Sequence, residues 1–155
     1  PVGRVHLQRG TKMKINQISV FLENKEGRIY EVCELLGAHD INIDALNIAE
    51  SEGFGVLRMI VNKPKAAMAA LKEKGFSANQ TDILAVEVED RPGGLADVLR
   101  VISTNQLNVE YMYGFTLRKS DRALMVFRFD DPEKAAKTLQ ANQIRIIRGS
   151  DIQES

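Results

Sequence analysis

Residues 18–44 and 84–110 of this chain are two versions of one text: ISVFLENKEGRIYEVCELLGAHDINID and LAVEVEDRPGGLADVLRVISTNQLNVE. At a constant shift of 66, Gly27 falls on Gly93, Ile29 on Leu95, Val32 on Val98, Cys33 on Leu99, Leu36 on Ile102 and Asn42 on Asn108. After a two-residue lengthening the shift becomes 68, and Pro64 meets Pro132, Ala67 meets Ala135, Leu71 meets Leu139 and Phe76 meets Ile144. A duplication of this kind limits the fold more than any other feature, because both copies must be able to adopt one structure. A unit of about 66 residues buries too little surface to be robust alone, so the two copies are expected to stabilise each other.

Each copy reads element by element. Ile18, Val20 and Leu22 alternate with Gln17, Ser19 and Phe21, and Leu84, Val86 and Val88 alternate with Ala85 and Glu87, which predicts a strand with one apolar face. Ile29, Val32, Cys33 and Leu36 then recur at helical spacing, matched by Leu95, Val98, Leu99 and Ile102. Two extended runs follow in each copy, with short polar connections at 51–53 and 119–122 that predict hairpins. KPKAAMAALKEKG and DPEKAAKTLQANQ are second helices with Pro near the start, and short final strands are expected at about 76–80 and 144–148.

Strand, helix, strand, strand, helix, strand is the ferredoxin-like layout. The predicted fold is therefore α+β: two βαββαβ repeats, over residues 14–80 and 81–148, pairing into an eight-stranded antiparallel sheet with the helices on one face. Residues 1–13 are expected to be a tail, disordered or foreign to the natural chain, with a natural start at Met13; residues 149–155 form a second tail.

ENKEGRIYEVCELLGAHDINI and EDRPGGLADVLRVISTNQLNV resemble the opening half of an ACT domain, whose pattern is a strand, an Asn/Asp-x-Pro-Gly turn, an amphipathic helix and a [VI]-N-[IV] step into the second strand. The second copy follows this through Asp90-Arg91-Pro92-Gly93 and Leu107-Asn108-Val109, and the first keeps Asn24, Gly27 and Ile41-Asn42-Ile43 but has Glu26 where Pro is usual. The resemblance implies a non-catalytic regulatory module that binds a small-molecule amino acid at the seam between paired domains and reports to a separate metabolic enzyme or regulator. It also implies that Asn24 and Asp90, with Asn42 and Asn108 of the neighbouring domain, meet the ligand. The serine-binding version adds a His two residues before the turn Asn, where this chain has Leu22 and Val88, so serine itself is not the expected ligand.

The chemistry of a zwitterion suits these residues. Its carboxylate needs N–H donors, which the first amides of the two helices supply at Gly27, Arg28 and Ile29 and at Gly93, Gly94 and Leu95, with Pro92 setting the turn. Its ammonium needs oxygen acceptors, a role that Asp90 and the Asn side chains fill. Arg28 and Arg91 read either as partners for a second anionic group on the ligand or as solvated turn residues. Asn42 and Asn108 read equally well as residues that open strands by bonding local backbone. Tyr111 and Tyr113 could wall a pocket, face a dimer partner or pack on the sheet.

Composition closes other routes. Basic and acidic residues number 21 each, but PVGRVHLQRGTK holds Arg4, Arg9 and Lys12 and no acid; without those three cations, 18 bases face 21 acids, a net of −3. That mildly acidic body, with no aromatic pair on the open face of the third strands, argues against nucleic acid as partner. No run approaches the roughly 18 apolar residues of a membrane span, so no membrane partner is expected. The single cysteine, Cys33, reads as core packing in a reducing, cytoplasmic setting. His39 reads as a helix-end residue, and no triad, paired-His metal site, P-loop or dinucleotide fingerprint is present, so neither catalysis nor a cofactor is expected. Alternative roles are a small regulatory subunit of the acetolactate synthase type, or an oligomerisation module without ligand. A homodimer is expected from the free sheet edges around Ala45 and Tyr111.

Overall fold

The computed structural model describes residues 13–115 and 122–153. Residues 1–12 of the expected tail and 119–121 of the expected hairpin connection lie outside them. The described residues divide into two compact units, one of Asn16–Thr81 with residues 152–153 and one of Asp82–Asp151 with residues 13–15.

In the first unit the order is β1 (Ile15–Glu23), α1 (Arg28–Ala38), β2 (Ile43–Ser51), β3 (Phe54–Val61) and α2 (Pro64–Glu73). The long strand β4 (Ser77–Glu89) leads into the second unit, which continues as α3 (Gly94–Thr104), β5 (Val109–Gly114), β6 (Arg122–Phe129), α4 (Pro132–Ala141) and β7 (Ile146–Ile147). A 3-10 turn over Gly149–Asp151 follows. Strand neighbours run β2-β3-β1-β4 for the first copy and β5-β6-β4-β7 for the second, so each copy has the ferredoxin-like order. Strand β1 pairs antiparallel with β3, β2 with β3, β4 with β6 and β7, and β5 with β6.

Two of the eight expected strand segments are one element. The run SANQTD contains neither Gly nor Pro, so nothing turns the chain between the closing strand of the first copy and the opening strand of the second. Both merge into β4, which leaves seven strands among the described residues. The partner at the other end is short. β7 pairs with β4 only at Ala85–Ile147 and Val86–Ile146.

Each unit has its own core on the helix side of its sheet. Ile18, Val20, Leu22, Leu57, Met59 and Val61 meet Val32, Leu36, Ala67 and Leu71 in the first. Leu84, Val86, Val88, Phe127 and Phe129 meet Val98, Ile102, Ala135 and Leu139 in the second. Each fully buried Leu, Ile or Phe side chain contributes about 1.5–3 kcal/mol by leaving water. The apolar stripe of α1 is turned from the expected one: Val32, Leu35 and Leu36 reach the core, while Ile29 is exposed and Cys33 half-buried.

The opposite sheet faces are buried in part. Gln17, Ser19, Ala45 and Ile60 in the first unit, and Ala85, Tyr113, Leu124 and Val126 in the second, are all below a tenth exposed. Tyr113 is therefore a packed residue of its sheet. A matched irregularity interrupts both edge strands, with register shifts between Ile43 and Ala45 and between Val109 and Tyr111. One extra residue is inserted there, Asp44 in one copy and Glu110 in the other.

The segment after residue 148 has a structural task. Gln153 accepts from the Asn16 amide at 3.1 Å and donates to the carbonyls of Asn16 and Val61 at 2.8 and 3.0 Å. Its side-chain amide thus links β1 to β3 just beyond their last register pair at Ile18 and Met59. We expect Gln153→Ala to lower the unfolding free energy by about 1–3 kcal/mol in a urea titration, because three partly buried backbone groups lose their partner. Gly37, on an exposed stretch of α1 with open space around its Cα, is the opposite case. Gly37→Ala should stabilise by a few tenths to about 1 kcal/mol in the same assay.

Candidate functional site

Both strand–helix turns are built alike. Gly27 and Gly93 sit just ahead of α1 and α3 with φ of 84° in each, a left-handed conformation that costs glycine little and an L side chain more. In each turn an amide reaches back two residues, Lys25 to the Glu23 carbonyl at 2.8 Å and Arg91 to the Glu89 carbonyl at 2.9 Å. The helices then begin with Glu31 donating to Gly27 and Asp97 to Gly93, both at 3.0 Å. Because the cap residues are glycines, no side chain caps either helix.

The amides expected to face a carboxylate are not all available. Gly94 N donates to the Arg91 carbonyl at 2.9 Å, and Arg28 N lies 3.5 Å from the Lys25 carbonyl. The difference between the copies has a steric cause. A Cβ on Gly94 would overlap the Glu89 carbonyl, so only glycine lets the second turn close this tightly. The first copy carries Arg28 there, and its turn is looser.

The two arginines are engaged in opposite ways. Arg91 bonds Glu89, Asp97 at 2.6 Å and the Pro92 carbonyl at 3.1 Å, and Arg100 holds the other oxygen of Asp97 at 2.7 Å. Hydrogen bonding from Arg91, with a smaller contribution from Arg100, holds the Asp97 carboxyl below the usual carboxylate range; Glu89 and then Asp97 push the Arg91 guanidinium up. A depressed carboxyl contributes stability above its unfolded pKa and loses it as pH falls through the folded value. The clamp is therefore fully charged near neutrality. Arg28 instead bonds Glu31 at 2.8 Å and lies 5.0 Å from the Phe76 ring centroid, with its Nε buried and lacking a hydrogen-bond partner.

Asn24 and Asp90 are exposed beside the glycines, and the Asn24 amide donates to the Gly53 carbonyl. Asn42 and Asn108 lie elsewhere. Glu23 is opposite Phe54 at one end of β3, and Ile43 is opposite Val61 at the other. In the second unit Glu89 faces Arg122 and Val109 faces Phe129. Within one unit the turn and the Asn step are thus a whole strand apart, roughly 25 Å at about 3.3 Å per residue. The Asn residues also support local structure: the Asn42 carbonyl accepts from the Asn62 amide, the Asn42 amide donates to Asn62 Oδ1, and the Asn42 side chain donates to Asp44 at 2.6 Å, while the Asn108 carbonyl accepts from the Asp130 amide. Asp44, buried at the bulge, was not singled out by the sequence, because a single inserted residue leaves no periodic signal.

His39 closes α1, its Nδ1 2.9 Å from the Leu35 carbonyl. No described helix is long and apolar enough to cross a membrane. The described residues contain no group of three His, Cys, Asp or Glu placed to hold a metal ion.

Comparison with solved structures gives a protein of Bacteroides thetaiotaomicron, BT0572, at 38% identity and TM-score 0.84, covering 90% of this chain and 96% of that one. At the level of fold alone, the ligand-free regulatory subunit of aspartate kinase from Thermus thermophilus aligns at 17% identity and TM-score 0.59, covering 84% and 94%. The corresponding subunit from Thermus flavus aligns at 17% identity and TM-score 0.58, covering 84% and 92%. No curated protein matches. The family model for an ACT domain pair matches residues 13–155. With its duplicated turn, its ferredoxin-like order in both copies and that match over nearly the whole length, the chain belongs to the ACT domain pair family.

Proposed function

We propose that this protein is a non-catalytic, cytoplasmic amino-acid sensor whose two domains, 14–80 and 81–148, hold ligand where the turn of one domain meets the Asn step of another. The observation that carries this reading is the placement of half-sites. Each unit presents a glycine turn at one end of its sheet and an Asn at the other, so neither unit completes a zwitterion site alone. Asp90 and Asn24, with Asn42 and Asn108, supply acceptors for the ammonium. The amides of Ile29 and Leu95, two residues after the turn glycines, supply donors for the carboxylate. Leu22 and Val88 are buried in the cores and offer the ligand nothing, which supports a ligand other than serine.

In this reading the protein works as a homodimer. The edge strand β2 supports the dimer: it runs nine residues without Lys, Arg or Pro and leaves Leu46 and Ile48 39% and 48% exposed. A second reading, a regulatory subunit held on a metabolic enzyme, is favoured by the exposed Phe21, Ile29, Tyr30 and Phe54 of the first unit.

A thermal-shift screen against the twenty amino acids tests the reading. The cognate ligand at a hundredfold excess over its dissociation constant should add about 2.7 kcal/mol of stability. Calorimetry should then show binding lost in Asp90→Ala and in Gly93→Ala, while circular dichroism remains native. A Cβ on Gly93 meets only Arg91 Nη1, at 3.5 Å, so the fold accepts it at the cost of backbone strain. Unchanged affinity in both variants would remove the pocket. Light scattering at micromolar concentration should give a dimer mass, and a monomer would count against the edge pairing.

A further inference from the structure

Beside the second turn, on its β7 side, the second unit carries an open cleft of about 290 Å³ lined by the end of β4, the start of β6, the first turns of α3 and the residues between α4 and β7. It shares Arg91 and Gly94 with the turn and adds groups that play no part in the reading above, chiefly Glu87, Arg122 and Arg145. The charged side chains form one series of alternating sign. Arg145 lies 3.8 Å from Glu87, Glu87 3.9 Å from Arg122, and Arg122 4.0 Å from Glu89; Glu89 then bonds Arg91, Arg91 bonds Asp97 and Asp97 bonds Arg100.

The two ends of this series differ. Around Asp97 every step is a direct hydrogen bond of 2.6 or 2.7 Å. Around Glu87 the two ion pairs are longer than a hydrogen bond, although that side chain is only 12% exposed. Four guanidiniums against three carboxylates leave the lining one positive charge in excess. At about 30 Å³ of liquid volume per water-sized group, the cleft accommodates roughly ten non-hydrogen atoms. Asn142 and Gln143 at its wall add side-chain amides.

We propose that this cleft takes an acidic amino acid, of net charge −1. Its side-chain carboxylate lies against Arg145 with Arg122 beside it, and its ammonium is accepted by Glu87. The excess positive charge selects the ligand's net charge, and the loosely paired Glu87 gives the ammonium an acceptor that no short bond occupies. The cleft is a site apart from the turn and Asn half-sites; the proposal rests on the amino-acid reading for the class of ligand and adds to it the ligand's charge.

Calorimetry at low ionic strength with aspartate, glutamate, asparagine, glutamine and succinate tests it, on the full chain and on Arg145→Gln. Arg145 is 72% exposed, so that variant should keep its ligand-free melting temperature. Aspartate or glutamate should bind at least tenfold more tightly than its amide, and Arg145→Gln should weaken that ligand by roughly tenfold or more. Raising the salt should weaken it further. Equal binding of acid and amide, or an unchanged affinity in Arg145→Gln, overturns the proposal. Succinate binding as tightly as aspartate overturns the role given to Glu87. A neutral amino acid that binds the wild type and Arg145→Gln alike leaves the sensor reading standing and removes this one; binding by none of the twenty amino acids removes both.

Discussion

A strand can hand over to a helix that lies back across the same sheet only if the chain reverses within a few residues. In this protein that reversal depends on a left-handed glycine, found at φ 84° in both copies. The rest follows from it. The turn directs Val32 and Leu36, or Val98 and Ile102, onto the strand residues they cover, and it sets the start of each helix beside the candidate site residues. One backbone conformation therefore serves the core and the candidate site together, which makes the turn hard to vary.

The copies nevertheless diverge around that shared geometry. In the second, Gly94 permits close approach to the Glu89 carbonyl, and Arg91 ties the turn to Glu89 and Asp97. In the first, Arg28 occupies the position of Gly94, Lys25 pairs only with Glu23, and Arg28 takes Glu31 and the face of Phe76. Exposed pairs of this kind contribute little to stability. Their effect is on shape and charge: one turn is closed by a salt-bridged clamp beside a cleft with excess positive charge, and the other is looser and bordered by exposed Phe21, Ile29, Tyr30 and Phe54. Duplication supplied two turns of equal design, and side-chain changes have made them chemically distinct.

Burial on both faces of each sheet bears on which roles remain open. A nucleic-acid platform needs exposed aromatics on the face away from the helices. Here Gln17, Ser19 and Ile60, and Ala85, Tyr113 and Val126, are buried on that face, while Phe21 and Phe54 on the same face of the first unit are exposed. Surface for partners is left at the edge strands, the turns and the clefts. The long apolar edge of β2 and the short β7, which covers only two residues of β4, are unequal boundaries.

Repeat, strand alternation, helix starts at Pro64 and Pro132 and the glycine turns were all legible in the sequence. Each is a local signal: a period of two or 3.6, or a residue with a restricted or unusual backbone. Local patterns could not reveal the fusion of two strand segments into β4, since continuing straight differs from turning only by the absence of a turn residue. Nor could they place Gln153 between β1 and β3, rotate the stripe of α1 from Ile29 toward Leu35, or insert Asp44 and Glu110 at matched bulges. The separation of each turn from its own Asn step and the gathering of Glu87, Arg122 and Arg145 at one cleft were likewise decided in three dimensions. These features depend on residues far apart in the chain, and their geometry is set by strand direction and packing, which no short window of sequence encodes.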